Sequence, residues 1–275
     1  MRIRTRLSIL TLGLSMLACI PQSTVAESAI TESPIESAIR NPQSPIESAI
    51  RNPQSPIESA IRNPQSTMTG WQTLFDGKSL DAWRGYKTET IPDGWRIEQG
   101  TLAKDGHVGD LISREQFGDF ELEIDWKIGE AGNSGIFYRG VEDFDYRGKP
   151  NDDRIYTTAP EYQLLDDIKA EDNKTPLTRA GANYGLYPSA HGSLKPVGGW
   201  NQARILAKGP HVEHWLNGTK VVEYELWSPD WEAKIQSTKF RAWPKFGRAT
   251  RGHIGLQGDH AGGLAFRNIR IRELR

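Results

Sequence analysis

Three short stretches carry the side chains that could do chemistry. The first is Gly132-Asn133-Ser134-Gly135-Ile136-Phe137-Tyr138-Arg139-Gly140, which reads as a β-strand. Side chains alternate along a strand, so Asn133, Gly135, Phe137 and Arg139 share one face, and Ser134, Ile136 and Tyr138 the other. An amide, a missing side chain, a ring and a guanidinium on one face suit the floor of a sugar-sized cleft. A glycine inside a strand often marks the close approach of a ligand or another backbone. The alternative is an edge strand whose Arg139 makes a structural ion pair. The second stretch, Glu161-Tyr162-Gln163-Leu164-Leu165-Asp166, lies between two long polar loops, roughly 141–160 and 167–183. Glu161 and Gln163 share a face with Leu165, an arrangement that fits a binding cleft. If this strand neighbours the first, Arg139 could lie near Glu161, in a site or in a structural bridge. The third stretch, Gln257-Gly258-Asp259-His260, places an imidazole just after a strand. There it could serve as general base or acid near neutral pH, or be structural.

These side chains need a scaffold, and its composition points to strands. The chain has 275 residues, a formal net charge of -1, nine Trp and 27 Gly. No basic excess exists to neutralise phosphates, so neither nucleic acid nor an anionic membrane is implied as partner. Phe120 to Ile128 alternates apolar and charged residues, a half-buried strand with Glu121, Glu123, Asp125 and Lys127 in water. Val212–Leu216 and Thr219–Leu226 flank Asn217-Gly218, a strong hairpin signal. Gly252–Gln257 and Arg267–Leu274 read as further strands. One helix is predicted from Ser228-Pro229-Asp230 towards Phe240, with Ser as cap and Pro at its first position. Short strands with turns between them and no βαβ alternation predict an all-β fold, a two-sheet antiparallel sandwich.

The N-terminus has a different character. Arg2, Arg4 and Arg6 precede an apolar run from Leu7 to Ile20, and small residues lead to Ala26. This pattern predicts a secretory signal peptide over 1–26, cleaved after Ala26, and too short to leave a membrane span in the mature protein. Cys19 is the one cysteine and offers a competing lipidation site. Export to the periplasm, to the medium or to a lipid-anchored position is therefore expected, and no internal disulfide can form. Residues 27–69 read as a linker. Within it, 33–65 are three copies of Ser-Pro-Ile-Glu-Ser-Ala-Ile-Arg-Asn-Pro-Gln, whose prolines interrupt any helix and leave a semi-extended spacer. The domain proper is expected at 70–275.

Some chemistries are disfavoured. A laminarinase-type pattern would need a third carboxylate after Glu123-x-Asp125, where the chain has Lys127 and Ile128, so a paired-carboxylate glycosidase is not supported. No nucleotide loop, nucleophile elbow or cysteine nucleophile is visible. Asp143-x-Asp145 and Asp152-Asp153 could hold a hard cation, but neither resembles a known calcium loop.

Across 70–275 the chain resembles the 3-keto-disaccharide hydrolase family. The resemblance rests on Trp71-Gln72-Thr73-Leu74-Phe75-Asp76-Gly77-Lys78-Ser79-Leu80-Asp81-Ala82-Trp83, on the two strands around Arg139 and Glu161, on Lys195-Pro196-Val197-Gly198-Gly199-Trp200-Asn201, on Leu216-Asn217-Gly218, and on Ile254 to His260 and Phe266-Arg267-Asn268-Ile269. Gly181-Ala182-Asn183-Tyr184 departs from the family's usual Gly-Ala-(Ile/Leu)-Tyr. The resemblance implies a concanavalin A/laminin G-like jelly roll that cleaves glycosides oxidised at C3, by C2 proton abstraction, elimination and hydration. That chemistry needs a base, an acid and a donor to an enolate. Glu161 and His260 are the candidates for base and acid, in either order. Arg139, with Lys195, is the candidate enolate stabiliser. Asn133, Gln163, Asp166, Asn201 and Gln257 would orient hydroxyls, and Trp200 or Tyr184 would stack on the sugar. No organic cofactor is expected, and a divalent cation could stand in for the cationic donors. The rival class is a non-catalytic carbohydrate-binding module on the same fold.

Overall fold

The computed structural model describes residues 70–149, 153–190 and 194–275. The expected signal peptide, Cys19 and the repeats lie outside these residues. Thirteen strands follow in order: β1 (Gln72–Phe75), β2 (Trp83–Gly85), β3 (Arg96–Glu98), β4 (Thr101–Lys104), β5 (Leu111–Phe117), β6 (Phe120–Ile128), β7 (Asn133–Gly140), β8 (Glu161–Leu165), β9 (Asn201–Lys208), β10 (His211–Leu216), β11 (Thr219–Glu225), β12 (Gly252–Leu256) and β13 (Leu264–Glu273). They form two antiparallel sheets. The larger runs β11-β10-β9-β6-β13-β4-β3, with β1 also paired to β13, and the smaller runs β2-β5-β12-β7-β8. This is the expected two-sheet sandwich.

Alternation builds the core. Phe120, Leu122, Ile124, Trp126 and Ile128 of β6 turn inward and meet Ile136 and Tyr138 of β7, Tyr162 and Leu164 of β8, and Ile254 and Leu256 of β12. His214 ties the two sheets together. Its Nε2 is 2.9 Å from the Tyr138 hydroxyl and its Nδ1 is 2.9 Å from the Gly181 carbonyl. Burial lowers its pKa to about 4, so it is neutral and structural. The other face of β7 and β8 points away from this core, and there the cleft forms. Asn217 and Gly218 both adopt positive φ, 49° and 81°, as a two-residue hairpin turn requires.

Two local expectations are corrected. Glu121, Glu123 and Asp125 do face outward, but they are not simply in water. Arg204 and Arg272 grip Glu121, which is only 3% exposed, while Arg270 pairs with Glu123 and Arg267 with Asp125. The two guanidiniums hold the Glu121 pKa down against the burial that raises it. The helix α1 (Pro229–Ser237) starts as predicted, with the Ser228 hydroxyl accepting from the Trp231 N–H, but it ends three residues short of Phe240. Thr238 is extended, with φ -123° and ψ -178°, and a separate 3-10 turn covers Lys239–Ala242. That break aims Lys239 into the cleft.

Candidate active site

A cleft of about 610 Å³ opens on the outer face of the smaller sheet. Its floor comes from β7, β8 and the end of β12, which supply Asn133, Glu161, Gln163 and Gln257. The register sets Phe137 opposite Glu161 and Gly135 opposite Gln163. Glu161 leans diagonally over Gly135, where a Cβ would stand 2.1 Å from Oε1. The glycine in the strand therefore makes room for a carboxylate.

A hydrogen-bonded chain crosses one half of the cleft. Gln163 donates from Nε2 to Asn133 Oδ1 at 2.9 Å, Asn133 donates from Nδ2 to Asp172 Oδ2 at 3.2 Å, and the Tyr184 hydroxyl donates to the same oxygen at 3.1 Å. The side-chain oxygens of Gln163 and Gln257 are buried without a protein partner, which makes them acceptors ready for hydroxyl donors. Lys239 joins this half to a wall of rings. Its ammonium lies 4.6 Å from the Tyr184 ring centroid, 5.6 Å from Phe240 and 5.9 Å from Trp243.

The two titratable groups are displaced in opposite directions. Burial pushes the Glu161 carboxyl well above the usual range; the Lys239 charge opposes this, while Asp259, Asp172 and Asp110 add to it. Burial lowers His260, against the nearby Asp259 and Asp172 carboxylates, with Asp259 Oδ1 3.7 Å from His260 Nε2. The 257–260 loop is clasped from behind by residues 104–110. The Lys104 ammonium donates to the His260 carbonyl at 2.6 Å, and the His107 Nδ1 lies 2.5 Å from the Asp259 carbonyl. Val108 N–H donates to the Gly258 carbonyl, and Gly258 N–H donates to Asp110 Oδ1, both at 2.9 Å.

Six predicted residues meet in this cleft: Glu161, His260, Asn133, Gln163, Tyr184 and Gln257. Five do not line it. Arg139 is buried and donates to the carbonyls of Gly118 and Gly209, at 2.9 and 2.8 Å, and to Asp119 at 3.1 Å. Its φ of 51° breaks the strand alternation that would have aimed it at Glu161. It makes a structural ion pair, but with Asp119. Asp166 accepts from the N–H groups of Ala131, Ile168 and Lys169 and fixes a turn. Asn201 accepts from the Lys195 N–H and the Asn217 amide, both at 2.9 Å, and pins a loop. Lys195 is exposed. Trp200 stacks under Arg267 and Lys127, on the outer face of the larger sheet, at 4.1 and 5.1 Å.

Sequence reasoning missed Asp172, Lys239, Tyr156 and Trp243, all of which line the cleft. Ser237-Thr238, hydroxyl residues that compete for the backbone near a helix end, was the signal available for Lys239. Among the described residues, the cleft carboxylates and His260 do not bring three ligand atoms within 4.8 Å of one another. His211, Glu213 and Glu223 do so elsewhere, on the β10–β11 hairpin, where Lys220 already pairs with both glutamates.

The sandwich is shared widely: a Bacillus subtilis protein of unknown function with a galectin-like fold superposes with a TM-score of 0.51 at 12% identity. On this jelly roll the cleft joins the Glu161 carboxyl, the His260 imidazole and two unpartnered amide oxygens, and the family and relative that the chain matches make it the cleft of an enzyme that cleaves glycosides. The chain belongs to the 3-keto-α-glucoside-1,2-lyase-like family, whose model matches residues 70–272. It is 38% identical over 229 residues to a 3-keto-disaccharide hydrolase of Bacteroides thetaiotaomicron, covering 74% of this chain and 79% of the relative. A crystal structure of a candidate glycosyl hydrolase from Parabacteroides distasonis matches with TM-score 0.68 and 32% identity, over 75% of this chain and 94% of that one.

Proposed function

We propose that the protein cleaves 3-keto-glycosides, including 3-keto-disaccharides, by elimination and hydration. The observation that carries this reading is geometric: Glu161 and His260 line one cleft with Lys239 and with the unpartnered side-chain oxygens of Gln163 and Gln257. Burial favours the protonated form of the Glu161 carboxyl and the neutral form of the His260 imidazole. Environments that push two groups apart in this way assign the acid and the base.

The C3 ketone acidifies the C2 hydrogen. His260 removes that proton, and the C–H electron pair forms the C2–C3 enolate, with its charge on the ketone oxygen. Lys239 and Lys149 line the cleft while Arg139 and Lys195 do not, and the Lys239 ammonium, whose charge acts on Glu161, is the cation assigned to that oxygen. The enolate then reforms the ketone, a C1–C2 double bond forms, and the C1–O bond breaks. Glu161 gives its proton to the leaving oxygen. Hydration reverses the roles: the Glu161 carboxylate takes a proton from water as its oxygen adds to C1, and the imidazolium returns its proton to C2. Both groups are reset, and the product is the free 3-keto sugar. A divalent cation held by Asp172 or Asp259 together with substrate oxygens could take the place of Lys239 as electrophile.

The test is turnover of a 3-keto-glucoside beside its unoxidised parent, with and without EDTA. Release of the 3-keto sugar or its 1,2-unsaturated intermediate from the keto substrate alone is the expected result. Loss of activity in EDTA would assign the electrophile to a metal. Binding of both sugars without turnover would leave a lectin and overturn the reading.

We also propose export, from the basic and apolar N-terminus. Radiolabelled palmitate incorporated in the wild type and lost in Cys19→Ala would establish a lipid anchor. An unlabelled protein beginning at Glu27 would establish cleavage after Ala26, and an uncleaved cytoplasmic protein would overturn both.

A further inference from the structure

The cleft has two chemically distinct halves, and Glu161 interacts with charges that belong to both. One half is the amide and carboxylate chain of Gln163, Asn133, Asp172 and Tyr184. The other is walled by rings. Tyr156 and Trp243 lie 5.4 Å apart at 42°, and Phe240 packs 5.7 Å from Trp243. Ala159 and Ala242 complete that half. Lys239 touches rings of both halves, at Tyr184 and at Trp243. Glu161 feels the charge of Lys239, which lowers its pKa, and those of Asp172 and Asp259, which raise it.

A 3-keto sugar brings hydroxyls and a carbonyl, and these match the polar half. The group leaving from C1 must then extend past Glu161 and Lys239 on to the rings. A second sugar would bring several hydroxyls to that wall, and Ala159, Ala242, Phe240 and the faces of Tyr156 and Trp243 offer them little, which leaves Tyr146 and Lys149 as the further polar side chains lining the cleft. Burying a hydroxyl without a partner costs binding, while burying a flat apolar ring against aromatic faces gains it. Resting on the function proposed above, the geometry points to a leaving-group subsite, formed by Tyr156 and Trp243 with Phe240 behind them, that takes ring-shaped apolar aglycones in preference to a second sugar.

The experiment compares methyl, benzyl and glucosyl 3-keto-glucosides of one anomer with the full chain. Methanol and benzyl alcohol are nearly equal in acidity, so the intrinsic leaving-group term cancels between them. The expected result is a kcat/KM for benzyl above methyl by about tenfold, the size one well-packed ring contact supplies, expressed mainly in KM. Trp243→Ala and Tyr156→Ala should each pull the benzyl-to-methyl ratio towards one, and Trp243→Phe should keep most of it. Trp243 also packs on Phe240 and Phe246, so the half-buried Tyr156 provides the variant less exposed to a folding defect. A wild-type ratio near one, a ratio unchanged in both alanine variants, or a preference for the glucosyl substrate would overturn the subsite while leaving the reaction standing. No turnover of any of the three would remove the reaction and the subsite together.

Discussion

The Glu161 carboxylate occupies the space where a side chain at position 135 would begin. A Cβ on Gly135 would stand 2.1 Å from Oε1, 2.6 Å from Cδ and 2.7 Å from Cγ. Gly135 does not have the positive φ that would make alanine strained in itself. Gly135→Ala should therefore fold, with the added methyl displacing the carboxyl from the cleft floor. A misplacement of about 1 Å can cost on the order of 10²-fold in rate. We expect that loss in kcat/KM with a melting temperature close to the wild type. A variant that folds with full activity would remove Glu161 from the reaction.

The acid and base assignment has a sign that pH can read. With His260 as base, kcat/KM should rise through its pKa, on a limb lying below the ordinary imidazole range. With Glu161 as acid, it should fall through a pKa above the ordinary carboxylate range. Lys239 lowers the Glu161 pKa, so Lys239→Met should move the alkaline limb to higher pH and leave the acid limb in place. It should also cost about 10² or more in kcat if the ammonium meets the enolate oxygen. A pH–rate profile of wild type and variant checks both. Movement of the acid limb instead would exchange the roles of Glu161 and His260.

Arg139 should behave as a structural residue. Its guanidinium satisfies two backbone carbonyls and one oxygen of Asp119. Arg139→Met leaves those acceptors behind and should destabilise the protein by about 2–4 kcal/mol. The kcat of the folded fraction should change little. Urea unfolding together with kcat on the same preparation separates the two effects, and a large loss of kcat at unchanged stability would return Arg139 to the site.

The sandwich was legible wherever a local rule decides structure. The alternation of Phe120 to Ile128, the Asn217-Gly218 turn and the Ser228 cap need no knowledge of distant residues, and each appears where it was expected. The cleft floor was legible for the same reason: period two put Asn133 and Gly135 on one face, and Glu161 and Gln163 on one face. The walls were not. Lys239 and Trp243 reach the cleft because a helix stops at Thr238, and Asp172 does so because its loop folds back on to Asn133. Arg139 failed where one backbone angle overrode the alternation. Trp200 and Asn201 belong to a matching motif, yet they brace the opposite sheet and a loop. A motif records what a fold needs as well as what a reaction needs.

Asp110 links the clasp behind His260 to pH. It is 1% exposed, one oxygen accepts from the Gly258 N–H, and the other has no partner. Burial raises its pKa to about 7; Gly258 opposes the rise and the Asp259 charge adds to it. A carboxyl raised on folding binds more protons in the native state than in the unfolded one, so stability falls as pH rises between the two pKa values. The cost of this group is absent below about pH 4, where even the unfolded carboxyl keeps its proton, and complete above about pH 7. Asp110→Asn keeps an oxygen for Gly258 and removes the charge. It should therefore be close to wild type in stability at pH 4 and more stable by about 1–3 kcal/mol at pH 8. Melting temperatures of both proteins across that range test the linkage. A difference that does not grow with pH would mean that Asp110 is already charged in the folded protein, held so by the Lys104 and Arg154 charges that lower its pKa.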